Sequence, residues 1–301
     1  MDNNLFFVNW HKTTLDRISI IITELLMKNY SDGVNTLVDA MTYSCHGSGK
    51  MIRSLLVEAT GLISNANLDL LDNLAIIIEI IHSFSLIHDD LPCMDNDDYR
   101  RGKMTNHKIF GEDIALLAGD ALLVFAFELL SDINIFSNVE SKVMLKIINM
   151  ITKAIGVTGM VGGQALDVSA TNQTITYQEL THIHSLKTGS LITVSCLIGY
   201  LIGTNFNDII YQQLKNLADK IGVLFQVVDD IIDTTSSSAT LGKTANKDLQ
   251  NNKATFVTVL GLNQAKDYAQ KLFVDINHDL ASFPKADYLQ YMAHIIYHRN
   301  S

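Results

Sequence analysis

LDLLDNLAIIIEIIHSFSLIHDD, Leu68–Asp90, is the stretch on which the fold turns. Leu71, Leu74, Ile78, Ile81 and Ser85 recur at steps of three and four residues, the period of one helix face. The run is far longer than an ordinary strand and lacks period-2 alternation, so a helix is predicted over Leu68–Asp89. It ends in a pair of adjacent carboxylates, Asp89 and Asp90, with more acid just beyond.

The same period recurs outward from this stretch: about Ile114–Leu130, Val143–Val157, Leu191–Ile202, Ile209–Ile232 and Thr255–Leu272. Breaks are expected at Gly- or Asn-containing segments: Cys45–Gly49, Ser64–Asn67, Arg100–Glu112, Ser169–Thr174 and Thr234–Asn252. Proline occurs only at Pro92 and Pro284, which suits long uninterrupted helices. No segment alternates long enough to suggest a sheet, and no short repeat or low-complexity linker is present. One all-α domain spanning residues 1–301 is the expectation.

At 48% hydrophobic and 18% charged residues, the chain can bury a large core and has no disorder signature. Its net charge of −10 argues against nucleic acid or an anionic membrane as the general partner. Phosphorylated substrates stay open, since they need only a local group of cations. Cys45, Cys93 and Cys196 have no metal-type spacing, and an odd number speaks against a disulfide framework; a reduced, cytoplasmic protein is expected. MDNNLFFVNWHKTTLD at the N-terminus lacks the basic flank, apolar core and cleavage site of a signal peptide. Thr188–Asn207 is uncharged and long enough to span a bilayer. Its polar ends and internal Ser, Thr and Gly favour a buried core helix, without stable membrane insertion.

Two acidic groups stand out. The first is HDDLPCMDNDD, with Asp89, Asp90, Asp95, Asp97 and Asp98; the second is FQVVDDIID, with Asp229, Asp230 and Asp233. Each closes a strongly apolar helical pattern. On a helix, Gln226, Asp229 and Asp233 share a face at i, i+3 and i+7, and Asp89 stands one turn above Ser85 and two above His82. Carboxylates gathered in this way repel one another unless protonated or given cations. Oxygen ligands without Cys or His at metal spacing favour Mg²⁺ or Ca²⁺ over zinc.

Basic residues occur in short, placed groups: Lys50 with Arg53, Arg100 with Arg101, Lys187, then Lys243, Lys247 and Lys253. Lys50 and Arg53 follow Gly47-Ser48-Gly49 one turn apart, placed to grip an anion at a helix start. GSGK is not a P-loop: the earlier glycine, the following Ser/Thr and the leading strand are all missing.

At this point the residues resemble the trans-isoprenyl diphosphate synthases, closest to bacterial-type farnesyl diphosphate synthase. HDDLPCMDNDDYRRGKMTNH (His88–His107) looks like the first aspartate-rich motif of that family, and FQVVDDIID (Phe225–Asp233) like the second. GMVGGQALDV (Gly159–Val168), HSLKTGSL (His184–Leu191), LGKTANKD (Leu241–Asp248), NKAT (Asn252–Thr255) and YHRN (Tyr297–Asn300) follow in family order. The usual GGKRLRP reads SGKMIRS here, with Met51 for an arginine and Ser54 for a proline; Met104 likewise replaces a proline.

The resemblance implies an isoprenoid synthase fold, a single-domain bundle of long helices around a deep central cavity, acting as a homodimer. It implies that Asp89, Asp95 and Asp229 are direct Mg²⁺ ligands, to three ions with substrate bound. Asp90 and Asp233 would be partial ligands, and Asp230 the less certain member. Arg100, Lys187 and Lys243 would hold the allylic diphosphate; Lys50, Arg53, His82 and Arg101 would hold isopentenyl diphosphate. Thr188 and Gln226 would face the reacting carbon. His88 and His184 are read as packing residues.

The implied reaction is the head-to-tail joining of isopentenyl diphosphate to dimethylallyl or geranyl diphosphate, through ionisation of the allylic C–O bond. Phe84 and Ser85 lie five and four residues before Asp89, about 6–7.5 Å down a helix that rises about 1.5 Å per residue. A ring at Phe84 would close the chain pocket and set a C15 product, with C20 second and C10 third. A terpene cyclase would not need Lys50, Arg53, His82 and Arg101. An inactive regulatory subunit would be expected to lose one acidic motif.

Overall fold

A computed structural model describes residues 3–28, 33–46, 49–235 and 253–299. The order is α1 (Asn3–Lys28), α2 (Asn35–Cys45), α3 (Ile52–Ile63), α4 (Leu68–Asp89), β1 (Tyr99–Arg100), β2 (Lys103–Met104), α5 (Asn106–Phe110), α6 (Glu112–Ser131), α7 (Ser141–Ile155), α8 (Met160–Ala170) and α9 (Tyr177–His184). A π-helical turn, Ser185–Gly189, leads into α10 (Ser190–Leu201), α11 (Asp208–Thr235), α12 (Phe256–Leu260), α13 (Leu262–Leu280) and α14 (Asp287–His298). The all-α expectation holds. The helix predicted from Leu68 to Asp89 is present with those bounds.

The described residues group into two compact units, one within 3–55 and 72–138, the other within 56–71, 139–235 and 253–299. In the first, α1 packs on α2, and α2 and α5 pack on α6. Ile18, Ile22 and Leu26 of α1, Ala40 and Met41 of α2, and Leu122 and Phe125 of α6 are all buried, as are Leu74–Ile78 of α4. Arg17 Nε donates to Asp72 Oδ2 at 2.7 Å and fastens α1 to α4. In the second unit α11 packs on α10, α13 and α14, and α7 packs on α10. Each Leu or Ile fully buried in these layers contributes about 1.5–3 kcal/mol relative to exposure.

The uncharged run from Thr188 to Asn207 resolves as expected. It carries α10, whose Leu191, Ile192 and Val194–Leu201 are all buried in the second unit. Among the described residues, three other stretches are long and apolar enough to cross a membrane by length and composition: 68–89, 112–131 and 141–170. The first is 72% buried, so its apolarity is satisfied within the protein. The second is only 44% buried and shows Leu116, Leu117 and Val124 to the outside.

Two local departures from the sequence reading have simple causes. The expected break Arg100–Glu112 contains a two-stranded hairpin pairing Tyr99 with Met104 and Arg100 with Lys103, followed by α5. Its loop residues Arg101 and Gly102 have φ of +54° and +76°, the left-handed pair demanded by a tight hairpin turn. The run Thr255–Leu272 is two helices. Gly261 at φ +83° ends α12, which starts at a capping box in which Thr258 N donates to Thr255 Oγ1 at 3.1 Å.

Candidate functional site

In the first unit, α4 ends at Asp89 and the chain folds back on itself. Asp95 N donates to Asp89 O at 2.9 Å and Asp97 N to Asp90 O at 3.3 Å, with Asn96 at φ +50° between them. The turn therefore draws Asp95 up to the end of α4. It also sorts the acids into two classes. Asp90 and Asp97 are 3% and 4% exposed, whereas Asp89 and Asp95 are half-buried with access to solvent.

Arg100 explains the sorting. Its Nε donates to Asp90 Oδ1 at 3.0 Å and Oδ2 at 3.3 Å, and its Nη2 contacts Asp90 Oδ1 and donates to Asp97 Oδ2 at 3.0 Å. Burial pushes the Asp90 carboxyl above the ordinary carboxylate value, and Arg100 pulls it back. Burial alone would lower the arginine, yet Asp90 and Asp97 hold it above its usual value. Arg100, expected as a diphosphate ligand, thus enters the structure as the counter-ion of two buried aspartates.

His82 lies two turns before Asp89 on α4, with its Nε2 3.2 Å from Arg53 Nη1. An arginine can only donate, so Nε2 is the acceptor and the ring proton sits on Nδ1. Burial, then the charges of Arg53, Arg101 and Arg100, hold His82 well below the usual histidine value. It is neutral at pH 7. Lys50 is exposed and Arg53 is 9% exposed. Arg100 and Arg101 also line a solvent-open cleft, together with Tyr43, Ser83, Asp90 and Lys103.

Phe84 is 6% exposed and sets its ring edge-on to His88 at 5.6 Å between centroids. His88 is fastened in turn by Leu116 O, 3.1 Å from its Nε2. Ser85 Oγ donates to His82 O at 2.8 Å. His88 therefore packs, as expected.

In the second unit the π turn carries the chemistry-bearing pair Lys187 and Thr188. A turn with an extra residue re-aims side chains that an α-helix would not align. It lies hard against α8: a Cβ at Gly163 would overlap the backbone of Lys187, which gives the glycine of GMVGGQALDV a physical reason. Lys187 Nζ donates to Asp167 Oδ2 at 2.6 Å, and Lys253 Nζ stands 3.8 Å from the same oxygen. Thr188 Oγ1 donates to Gln226 Oε1 at 3.1 Å, and Gln226 Nε2 donates to Asp230 Oδ1 at 2.7 Å.

The second acidic cluster is also sorted. Asp230 is 3% exposed and takes a further bond from Phe256 N at 2.7 Å. His184 stacks on Phe256 at 5.4 Å, and burial lowers its pKa to about 4. Asp233 is 6% exposed. Asp229, by contrast, has a side chain 50% exposed, and Arg299 Nη2 lies 3.0 Å from its Oδ1. Gln226, Asp229 and Asp233 lie in one continuous helix, α11, as their shared face requires, and the Gln226 amide is bonded to Asp230 one turn on. Lys243 and the rest of LGKTANKD lie outside the described residues.

Sequence reasoning singled out neither Asp167, Glu79 nor Arg299. The first and last stand inside quoted motifs, but only their partners reveal them. Among the described residues no three His, Cys, Asp or Glu are gathered into a ready-made metal cage. One or two accessible carboxylates completed by phosphate oxygens and water is the manner of Mg²⁺, and Asp89, Asp95 and Asp229 fit it as accessible hard-oxygen donors.

The family model for polyprenyl synthetase matches residues 34–291. The farnesyl diphosphate synthase of Micrococcus luteus is 43% identical over 258 residues, covering 85% of this chain and 86% of the relative. The heterodimeric geranylgeranyl pyrophosphate synthase large subunit 1 of Arabidopsis thaliana is 42% identical over 281 residues, covering 90% and 76%. Among solved structures, a geranyltransferase from Helicobacter pylori complexed with magnesium and isoprenyl diphosphate superposes with a TM-score of 0.85. Its identity is 32%, over 99% of this chain and 98% of that one. An FPP/GFPP synthase from Zymomonas mobilis gives the same TM-score at 36% identity, over 97% and 99%. With its all-α isoprenoid synthase fold, two sorted aspartate clusters and these relatives, the chain belongs to the polyprenyl synthetase family.

Proposed function

We propose that this chain is a Mg²⁺-dependent short-chain prenyltransferase, one synthase domain over 1–301. It joins isopentenyl diphosphate head-to-tail to dimethylallyl and then geranyl diphosphate, releasing a C15 diphosphate. The observation carrying the product length is Phe84: buried, five residues before Asp89, and braced by a histidine that is itself tied to Leu116 O. A ring in that place would block the path of a longer chain. The second reading, a C20 product, draws on the relatives named for geranylgeranyl pyrophosphate synthesis.

Asp89, Asp95 and Asp229 are the residues that would hold magnesium, with Asp90 and Asp233 supporting them from buried positions. Magnesium, when bound, supplies positive charge against the negative charge that grows on a departing diphosphate. Lys187 adds a cation to the allylic diphosphate, and Asp167 keeps it in place. Arg100 and, outside the described residues, Lys243 belong to the same function. Lys50, Arg53 and Arg101 take the diphosphate of isopentenyl diphosphate, with His82 neutral beside Arg53. Thr188 and Gln226, bonded to each other, present oxygen dipoles toward the carbon that becomes positive. Such preorganised groups act by being stronger partners for the transition state than for the ground state.

The outward Leu116, Leu117 and Val124 on α6, 47%, 51% and 67% exposed, support a homodimer built on that helix. Three free cysteines support a reducing, cytoplasmic setting.

The test is purified protein with Mg²⁺, isopentenyl diphosphate and dimethylallyl diphosphate, with products read by mass spectrometry. A C15 diphosphate that vanishes with EDTA supports the whole reading. A C20 product keeps the prenyltransferase and discards Phe84 as the ruler. No condensation with either dimethylallyl or geranyl diphosphate, in folded protein, rejects the reading.

A further inference from the structure

Arg101 sits at a backbone position that arginine does not favour. It is the first loop residue of the hairpin, at φ +54°, where Asn, Asp or Gly is the usual choice. The hairpin around it is held down on α2: Tyr43 Oη donates to Met104 O at 2.7 Å and Lys103 Nζ to His46 O at 3.2 Å. Its guanidinium lies so close to Gly49 that a Cβ there would overlap it. Backbone and side chain are both confined.

What holds the charged end is inside α4. Glu79 is 1% exposed, and a carboxylate that deep is unfavourable without a counter-charge or hydrogen-bond donors. Its Oε1 is 3.6 Å from Arg101 Nη2. Its Oε2 is 3.2 Å from the hydroxyl of Ser54, which also lies 3.0 Å from Ala75 O and is itself fully buried. The single hydroxyl proton of Ser54 is divided between these two acceptors. Ser54, Glu79 and Arg101 thus form a line running from α3 through α4 to the hairpin.

We propose that Glu79, steadied by Ser54, is a positioning residue that presets Arg101 for the diphosphate of isopentenyl diphosphate. This rests on the reading that Arg101 holds that diphosphate. An arginine ordered before binding gives up less side-chain freedom when the anion arrives. At 3.6 Å Glu79 orients the guanidinium without occupying it by a short bidentate pair, which leaves donors for phosphate. Ser54 acts through Glu79 and touches no substrate.

The experiment is steady-state kinetics of the full-length protein, with each substrate varied in turn. Ser54→Ala and Glu79→Gln are each expected to raise KM for isopentenyl diphosphate about three- to tenfold, leaving kcat and KM for geranyl diphosphate within about twofold. On an Arg101→Lys background neither change should add a further increase. An unchanged or lowered KM in both variants, with Arg101→Lys itself raising KM, overturns the positioning role while leaving the function of Arg101 standing. An unchanged KM in Arg101→Lys overturns the underlying reading instead. Ser54→Ala, which removes one buried oxygen and little volume, serves where Glu79→Gln does not fold.

Discussion

Arg299 Nη2 lies 3.0 Å from Asp229 Oδ1 and also donates to Phe225 O at 2.5 Å, with its guanidinium carbon 3.8 Å from the centre of the Phe225 ring. The accessible carboxylate of the second cluster therefore already carries a cation. A partly exposed pair of this kind contributes at most about 1 kcal/mol. Under the proposed function, Arg299→Gln should lower the Mg²⁺ concentration needed for half-maximal thermal stabilisation by up to about fivefold. A Mg²⁺ titration followed by melting temperature checks this; a higher Mg²⁺ requirement would show that Arg299 assists the metal.

Asp89 and Asp229 are accessible and lie at chain positions where their loss should not empty the core. Asp89→Ala or Asp229→Ala should cut turnover at least a hundredfold, the scale of one electrostatic transition-state group, about 10²–10³. Circular dichroism should stay that of the parent. Near-parent turnover in either folded variant would remove that residue from the site.

Phe84→Ala opens space in the first unit beneath His88. The product should lengthen to C20 or beyond, read by mass spectrometry. Removing a buried phenyl ring also destabilises by about 3–5 kcal/mol, so the melting temperature should fall as well. A destabilised variant that still released only C15 would make Phe84 ordinary core.

Two buried histidines set the acid side of the stability curve. His184 is lowered to about 4 and His82 well below 6.5, both chiefly by burial. Between those values and 6.5 the unfolded chain binds protons that the folded chain does not. Stability is therefore greatest above pH 6.5 and falls as pH drops through that window. His184 contributes about 2 kcal/mol of loss between pH 6.5 and 5, and His82 acts in the same direction. Urea unfolding at both pH values would measure it, and His184→Asn should flatten the slope. A slope equal in parent and variant would contradict the burial of a neutral His184.

The long helices, the two acidic clusters that close α4 and α11, and the glycine breaks were all legible in the residues. They rest on spacing within one or two turns, and local spacing decides which face of a helix is apolar and where the chain must turn. What each polar residue does was not legible in the same way. Asp89 and Asp90 are neighbours in a motif, yet one is accessible and the other lies under Arg100. Asp229 and Asp230 divide similarly, through Arg299 and the backbone N–H of Phe256. Glu79 is a single charge in an apolar run, and only Ser54 and Arg101 give it a role. These roles depend on partners tens of residues away, and burial together with the identity of the partner sets whether a carboxylate is an anchor or a ligand. Local order wrote the helices; only the tertiary contacts divided their acids into structural and chemical ones.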